Sequence, residues 1–181
     1  MKTVEVAGKA LDILYSEKVI AKRNLELAKE IADMKLERLL VISVLKGSFI
    51  FAADLLRAVH GAGLAPEVEF LSLSSYGAGT TSSGDIKILR DIESEVAGRD
   101  VLILDDILES GRTLAYAKDL IAARGASSVK LCVLLDKPLK RAVDIQADLV
   151  GFDCPDLFVV GYGMDIGHGF RQLPFVGVIK E

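Results

Sequence analysis

VLILDDILESGRTL, residues 101–114, is the stretch on which the fold turns. Four apolar residues of strand length run straight into Asp105 and Asp106, then Glu109, and the chain passes through Ser110 and Gly111 into the helical pattern RTLAYAKDLIAARG (112–125), which Gly125 can close. A buried strand that ends in carboxylates and opens a helix through a glycine is costly unless something binds there.

The flanking sequence repeats the same alternation. LLVISVL (39–45) is a continuous apolar run, followed by Lys46-Gly47 and the helical SFIFAADLLRAV (48–59). VEFLSL (68–73) and VKLCVLL (129–135) are two further strands, and LVGF (149–152), LFVV (157–160) and FVGVI (175–179) are shorter candidates. Residues 17–34 predict a helix that Ser16 caps, with Ile20, Leu27, Ile31 and Met34 on one face. SSYGAGTTSSGD (74–85) has the small, polar composition of a loop, and IKIL (86–89) reads as a strand returning from it. Apolar strands alternating with helices predict an α/β fold, a mostly parallel central sheet with helices on both faces. In such sheets ligands bind beyond the carboxyl ends of the strands. Lys46-Gly47, Asp105-Asp106 and Asp136-Lys137-Pro138 all fall at such ends.

Composition narrows the class. The chain has 181 residues, of which 27% are charged and 51% hydrophobic, enough for one domain (1–181) with its own core. A net charge of −4 argues against nucleic acid or an anionic membrane as a partner. No apolar run reaches the ~20 residues of a membrane span, and the N-terminus does not read as a signal peptide. The expected location is the cytoplasm. Cys132 and Cys154 are expected to be buried free thiols, and His60 and His168 are too separated for a metal site.

The chemistry at the opening stretch is local. Orphan N–H groups at the start of the helix, the hydroxyls of Ser110 and Thr113, and the close approach that Gly111 allows form a cradle for a phosphate monoester. The spacing is not that of an ATP-binding P-loop. Asp105 and Asp106 supply acceptors for vicinal sugar hydroxyls and oxygen ligands for Mg²⁺. Together these features describe a site for a ribose 5-phosphate.

The stretch resembles the phosphoribosyl pyrophosphate (PRPP) signature of purine phosphoribosyltransferases. The resemblance extends over nearly the whole chain: VLKGSFIFAADLLRAV (44–59) is similar to the pyrophosphate-loop segment of hypoxanthine-guanine phosphoribosyltransferases of the type I family, SSYGAGTTSSGDIKIL (74–89) to their lid, and DLFVVGYGMDIGHGFRQLPFVGVIK (156–180) to their base-binding C-terminus. It implies purine salvage: hypoxanthine, or guanine, plus PRPP gives the nucleotide IMP or GMP plus pyrophosphate, with Mg²⁺ as cofactor. It also implies a small base-binding hood from the chain ends (about 153–181), a homodimer or homotetramer, and a role for each matching residue. Asp105 and Asp106 would hold the ribose directly or through Mg²⁺, and Ser110, Gly111, Arg112 and Thr113 the 5-phosphate. Lys46, Gly47 and Arg171 would bind pyrophosphate, with the Leu45–Lys46 peptide cis. Lys137 would donate to the 6-oxo group, Phe158 would stack on the purine, and the backbone of Val159 would read its remaining edge. Asp165 would hold a second Mg²⁺ through water, while Ser75 and Tyr76 would begin the lid. Read without the resemblance, Phe158 within LFVV is a core residue and Lys137 a surface lysine; Tyr162 and Phe170 are packing residues.

Glu109 departs from the family, which has Asp at this position as the proposed base at purine N7. The extra methylene reaches about 1 Å further, and a misplacement of that size can cost on the order of 10²-fold in rate. The alternative function is a regulator of the same fold that senses a nucleotide with weak or no catalysis. The SGRT run resembles that of a pyrimidine-operon regulator, but the acidic charge and the purine-type C-terminus oppose it.

Overall fold

A computed structural model describes residues 2–75 and 86–180. In chain order the strands are β1 (Thr3–Val6), β2 (Lys9–Tyr15), β3 (Leu40–Leu45), β4 (Glu67–Ser75), β5 (Ile86–Arg90), β6 (Asp100–Leu108), β7 (Ser128–Asp136), β8 (Leu149–Asp153), β9 (Val159–Val160) and β10 (Val176–Ile179). The helices are α1 (Glu17–Asp33), α2 (Phe49–Gly61) and α3 (Arg112–Ala123). A sheet of order β5-β4-β3-β6-β7-β8 forms the centre, parallel except for β5, which runs antiparallel to β4.

The middle of this sheet is buried on both faces, and β6 shows why an unbroken apolar run is needed. Successive side chains point to opposite faces. Leu102 and Leu104 join a core with Leu27, Ile31, Phe51 and Leu55 of α1 and α2. Val101 and Ile103 join one with Leu114, Ala117 and Ile121 of α3. Helix α1 begins as its sequence predicts: Ser16 accepts a hydrogen bond from the Val19 amide at 3.4 Å. Ile20, Leu27 and Ile31 are buried along one face, whereas Val19 and Leu25 lie on the exposed side.

The second sheet, of order β1-β2-β10-β9, joins the two ends of the chain into the expected hood. Its core holds Leu11, Val160 and Leu173, with Phe170 packed against them. Tyr162 fastens this hood to both helices: its hydroxyl accepts from Asn24 of α1 at 2.9 Å and donates to Asp54 of α2 at 2.7 Å. Cys132 and Cys154 are free and buried, and burial pushes both thiols up. Among the described residues, no helix is long and apolar enough to cross a membrane.

Two sequence expectations need correction. The strand at 101–104 does not stop before the acids: β6 continues through Asp105, Asp106 and Ile107 to Leu108, because β7 pairs with it as far as Leu108↔Asp136. The strand expected at 157–160 covers only Val159 and Val160, the residues that pair with β10, so Phe158 is outside it. The N-terminal hairpin β1–β2 was not among the sequence-based elements. Ser75 ends β4, and Tyr76 with the rest of the expected lid, 76–85, lies outside the described residues.

Candidate active site

The ends of β3 and β6 meet over a cleft of about 290 Å³. Lys46, Gly47, Asp105, Asp106, Glu109, Ser110, Gly111 and Thr113 all line it. Gly111 precedes α3 with φ of 81°, a left-handed conformation that favours glycine. A Cβ there would also stand 2.4 Å from Ile145 Cγ2. The loop therefore presses directly on the segment after β7, and Gly111 and Thr113, at the start of α3, line the cleft. Arg112 is exposed, and its amide donates to Ser110 Oγ at 3.4 Å.

The two acids differ in environment. Asp105 is buried at 8% exposure and accepts from the Asp106 amide at 2.9 Å. Burial, and then the charge of Asp106, push its carboxyl well above the usual carboxylate range. Asp106 accepts from the Ile107 amide at 3.0 Å and lies against Gly47, where a Cβ would be 1.9 Å from its Oδ2. Gly47 is hemmed in on its other side, since a Cβ on Gly163 would stand 2.1 Å from the Gly47 carbonyl. The Leu45–Lys46 peptide that leads into this loop is cis.

A second cleft of about 420 Å³ shares Lys46, Gly47, Asp106 and Ile107 with the first, and adds Phe158, Val159, Asp165 and Arg171. Phe158 is 61% exposed, so its ring is a wall of this cleft and not a core residue. Arg171 donates to the Gly163 carbonyl at 2.7 Å and pairs with Asp165 at 2.7 Å. Lys137, only 6% exposed, donates to the Leu157 carbonyl at 2.7 Å and stands 3.5 Å from Glu109 Oε1. Burying an ammonium requires such partners. Lys140 lies 3.9 Å from the same Glu109 oxygen.

The model of the phosphoribosyl transferase domain family matches residues 10–166. A hypoxanthine-guanine phosphoribosyltransferase of Streptococcus agalactiae is 46% identical, with 93% of each chain covered. The chain belongs to the hypoxanthine-guanine phosphoribosyltransferase family. Solved structures agree. A hypoxanthine phosphoribosyltransferase from Staphylococcus aureus superposes with a TM-score of 0.87 at 37% identity, covering 93% of this chain and 91% of that one. A variant of the Trypanosoma cruzi enzyme, in a ternary substrates complex, gives 0.88 at 40% identity, covering 93% and 94%.

Within this family frame, the fold brings Lys46, Gly47, Asp105, Asp106, Glu109, Ser110, Gly111, Thr113, Phe158, Val159, Asp165 and Arg171 together around the two joined clefts. Arg112 lines neither cleft, and Lys137 stands beside the first only through Glu109. Sequence reasoning passed over Ile107, Leu89 and Met164, which help to line the second cleft. For Ile107 there was a signal in the alternation of β6, hidden because the strand was expected to end at Leu104.

The donor set also suits Mg²⁺. Among the described residues, no group of three potential ligands is gathered, but this ion is usually held by one or two carboxylates, water and substrate phosphates. A buried Asp105 whose charge is disfavoured is relieved by a nearby cation. The same residue limits stability. An acid with a raised folded pKa stabilises the fold most below the ordinary carboxylate range, and that contribution is lost as pH rises from there toward the raised value. Asp105→Asn is therefore expected to raise the melting temperature of the ligand-free protein at neutral pH by a few degrees, roughly 1 kcal/mol. It should also flatten the decline between acidic and neutral pH and abolish most turnover. Melting curves across pH that coincide for parent and variant would refute this account.

Proposed function

We propose that this chain transfers the 5-phosphoribosyl group of PRPP to the purine base hypoxanthine, and to guanine as a second base. The products are IMP or GMP and pyrophosphate, as in purine salvage. The observation that carries the reading is the join between the clefts. A sugar-phosphate cradle (Asp105 to Thr113) meets a base wall (Phe158 and Val159) across Lys46, Gly47, Asp106 and Ile107, which line both clefts, and Glu109 of the cradle stands 3.5 Å from Lys137.

In this reading Ser110, Gly111, Arg112 and Thr113 hold the 5-phosphate, and Asp105 and Asp106 hold the ribose hydroxyls. Lys46, the Gly47 amide and Arg171 take the pyrophosphate. Asp105, Asp106 and, through water, Asp165 would hold Mg²⁺, which supplies positive charge to the departing pyrophosphate when bound. Loss of pyrophosphate leaves positive charge on the ribose ring, and Asp105 and Asp106 stabilise it. Phe158 stacks on the purine, the Val159 backbone reads its edge, and Glu109 takes the N7 proton. Lys137 offers donors only, which suits a 6-oxo group and not a 6-amino group. Ser75 and Tyr76 begin the lid that keeps water from the activated sugar. Both sheets serve as one catalytic unit. A homodimer or homotetramer is the assembly that the family resemblance suggests.

Steady-state rates with hypoxanthine, guanine, xanthine and adenine at saturating PRPP test the reading, and adenine turnover matching hypoxanthine would refute it. Lys137→Ala tests the base contact. Losing a charged donor is expected to raise KM for hypoxanthine about 10- to 100-fold, with PRPP affected far less. An equal loss for both substrates would make Lys137 a structural lysine.

A further inference from the structure

Arg141 carries no role in the reaction described above, yet its guanidinium lies directly beneath the phosphate loop. It donates to the Glu109 carbonyl at 2.9 Å, the Leu108 carbonyl at 3.3 Å and the Ile145 carbonyl, and it pairs with the Asp136 carboxylate. Only 16% of the side chain is exposed, so water competes little for these bonds. Its Cδ lies 3.1 Å from where a Cβ of Gly111 would stand. Two backbone bonds run alongside: the Ala142 amide donates to the Ser110 carbonyl and the Lys137 amide to the Leu108 carbonyl, each at 2.9 Å. The segment from Asp136 to Ile145 is thus the bed on which residues 108–111 are laid.

That bed begins next to Lys137. One side chain therefore ties the end of β7, where the base-reading lysine sits, to the end of β6, where the phosphate loop starts. We propose that Arg141 is a positioning residue that sets the spacing between base site and phosphate loop, so that both halves of one nucleoside monophosphate are held at once. The proposal rests on the reading that Lys137 addresses the base and residues 110–113 the phosphate; Arg141 itself lines neither cleft. A guanidinium suits the task because its planar fork serves several carbonyls together. A lysine ammonium would retain the charge opposite Asp136 but not that fan of donors.

The test compares Arg141→Met and Arg141→Lys with the parent by titrating IMP and Mg²⁺-pyrophosphate separately, alongside kcat and melting temperature. IMP spans the two halves, whereas pyrophosphate is assigned to Lys46 and Arg171. Both variants are expected to bind IMP at least about tenfold more weakly and to turn over more slowly. Pyrophosphate affinity should stay within about twofold of the parent, as for an independent site. Equal weakening of both ligands overturns the proposal, as does parental IMP affinity in the lysine variant, since charge alone would then suffice. Failure of both variants to fold would assign Arg141 to the fold itself and overturn it as well. A parent that neither binds IMP nor turns over hypoxanthine would instead refute the proposed function, so the two failures are distinguishable.

Discussion

Gly47→Ala is expected to lower kcat/KM for PRPP by on the order of 10²-fold or more, the cost of displacing a reacting group by about 1 Å. The added methyl would stand 1.9 Å from Asp106 Oδ2 and 2.6 Å from its carboxyl carbon, well inside any tolerable contact. Two relaxations are open, and each harms the site. Asp106 can swing away, which removes from the cleft the carboxylate proposed to hold the sugar and Mg²⁺. Alternatively the loop can retreat, which moves the Gly47 amide from the place proposed for the pyrophosphate. Retreat is itself hindered, because the Gly47 carbonyl already rests against Gly163. Gly61→Ala is the natural control: at the end of α2 an added Cβ meets nothing within 4 Å, and parental kinetics are expected. Parental kinetics in Gly47→Ala, in a folded protein, would show that Asp106 need not stay where it lies.

Glu109→Gln is expected to lose most of its turnover, roughly 10²- to 10⁴-fold for a lost general base, with KM values changing little. Two positions were open to this longer side chain: near the base, or turned away. The carboxylate stands 3.5 Å from Lys137 and 3.9 Å from Lys140, and Glu109 lines the sugar cleft. It is therefore held toward the two lysines. In the proposed function, where Lys137 addresses the 6-oxo group, a carboxylate beside it is well placed for N7, the neighbouring atom on the same edge of the ring. Gln keeps the length and removes the acid, while Asp keeps the acid and shortens the arm. Glu109→Asp should retain activity, and should exceed the parent if the longer arm is a compromise. If Gln turns over as fast as the parent, Glu109 is not the base.

The central sheet was legible because each strand is a local apolar run bounded by turn residues. The lining of the first cleft was legible as a candidate site because much of it is contiguous, Asp105 through Thr113. Phe158 was less so: LFVV is apolar throughout, and an apolar run does not reveal which residue leaves the sheet. Strand β9 begins only at Val159 because β10 pairs only with Val159 and Val160, and the Phe158 ring before them is exposed. Arg141 was not singled out at all, since no sequence pattern marks a guanidinium whose partners are backbone carbonyls from another segment.

By itself, the sequence determined the alternation of strands and helices, and it marked the candidate phosphate cradle and the acids beside it. These follow from periodicity, from orphan amides at a helix start and from neighbouring residues, all of which act over a few positions. Tertiary structure alone decided the rest. It set Asp106 against Gly47, paired Lys137 with Glu109, placed Arg141 under the phosphate loop and joined β2 to β10 across the length of the chain. The physical reason is that these contacts depend on strand order. Placing β3 and β7 on either side of β6 brings their loops to one end, and a linear pattern of apolar and polar residues specifies each strand but not its neighbours.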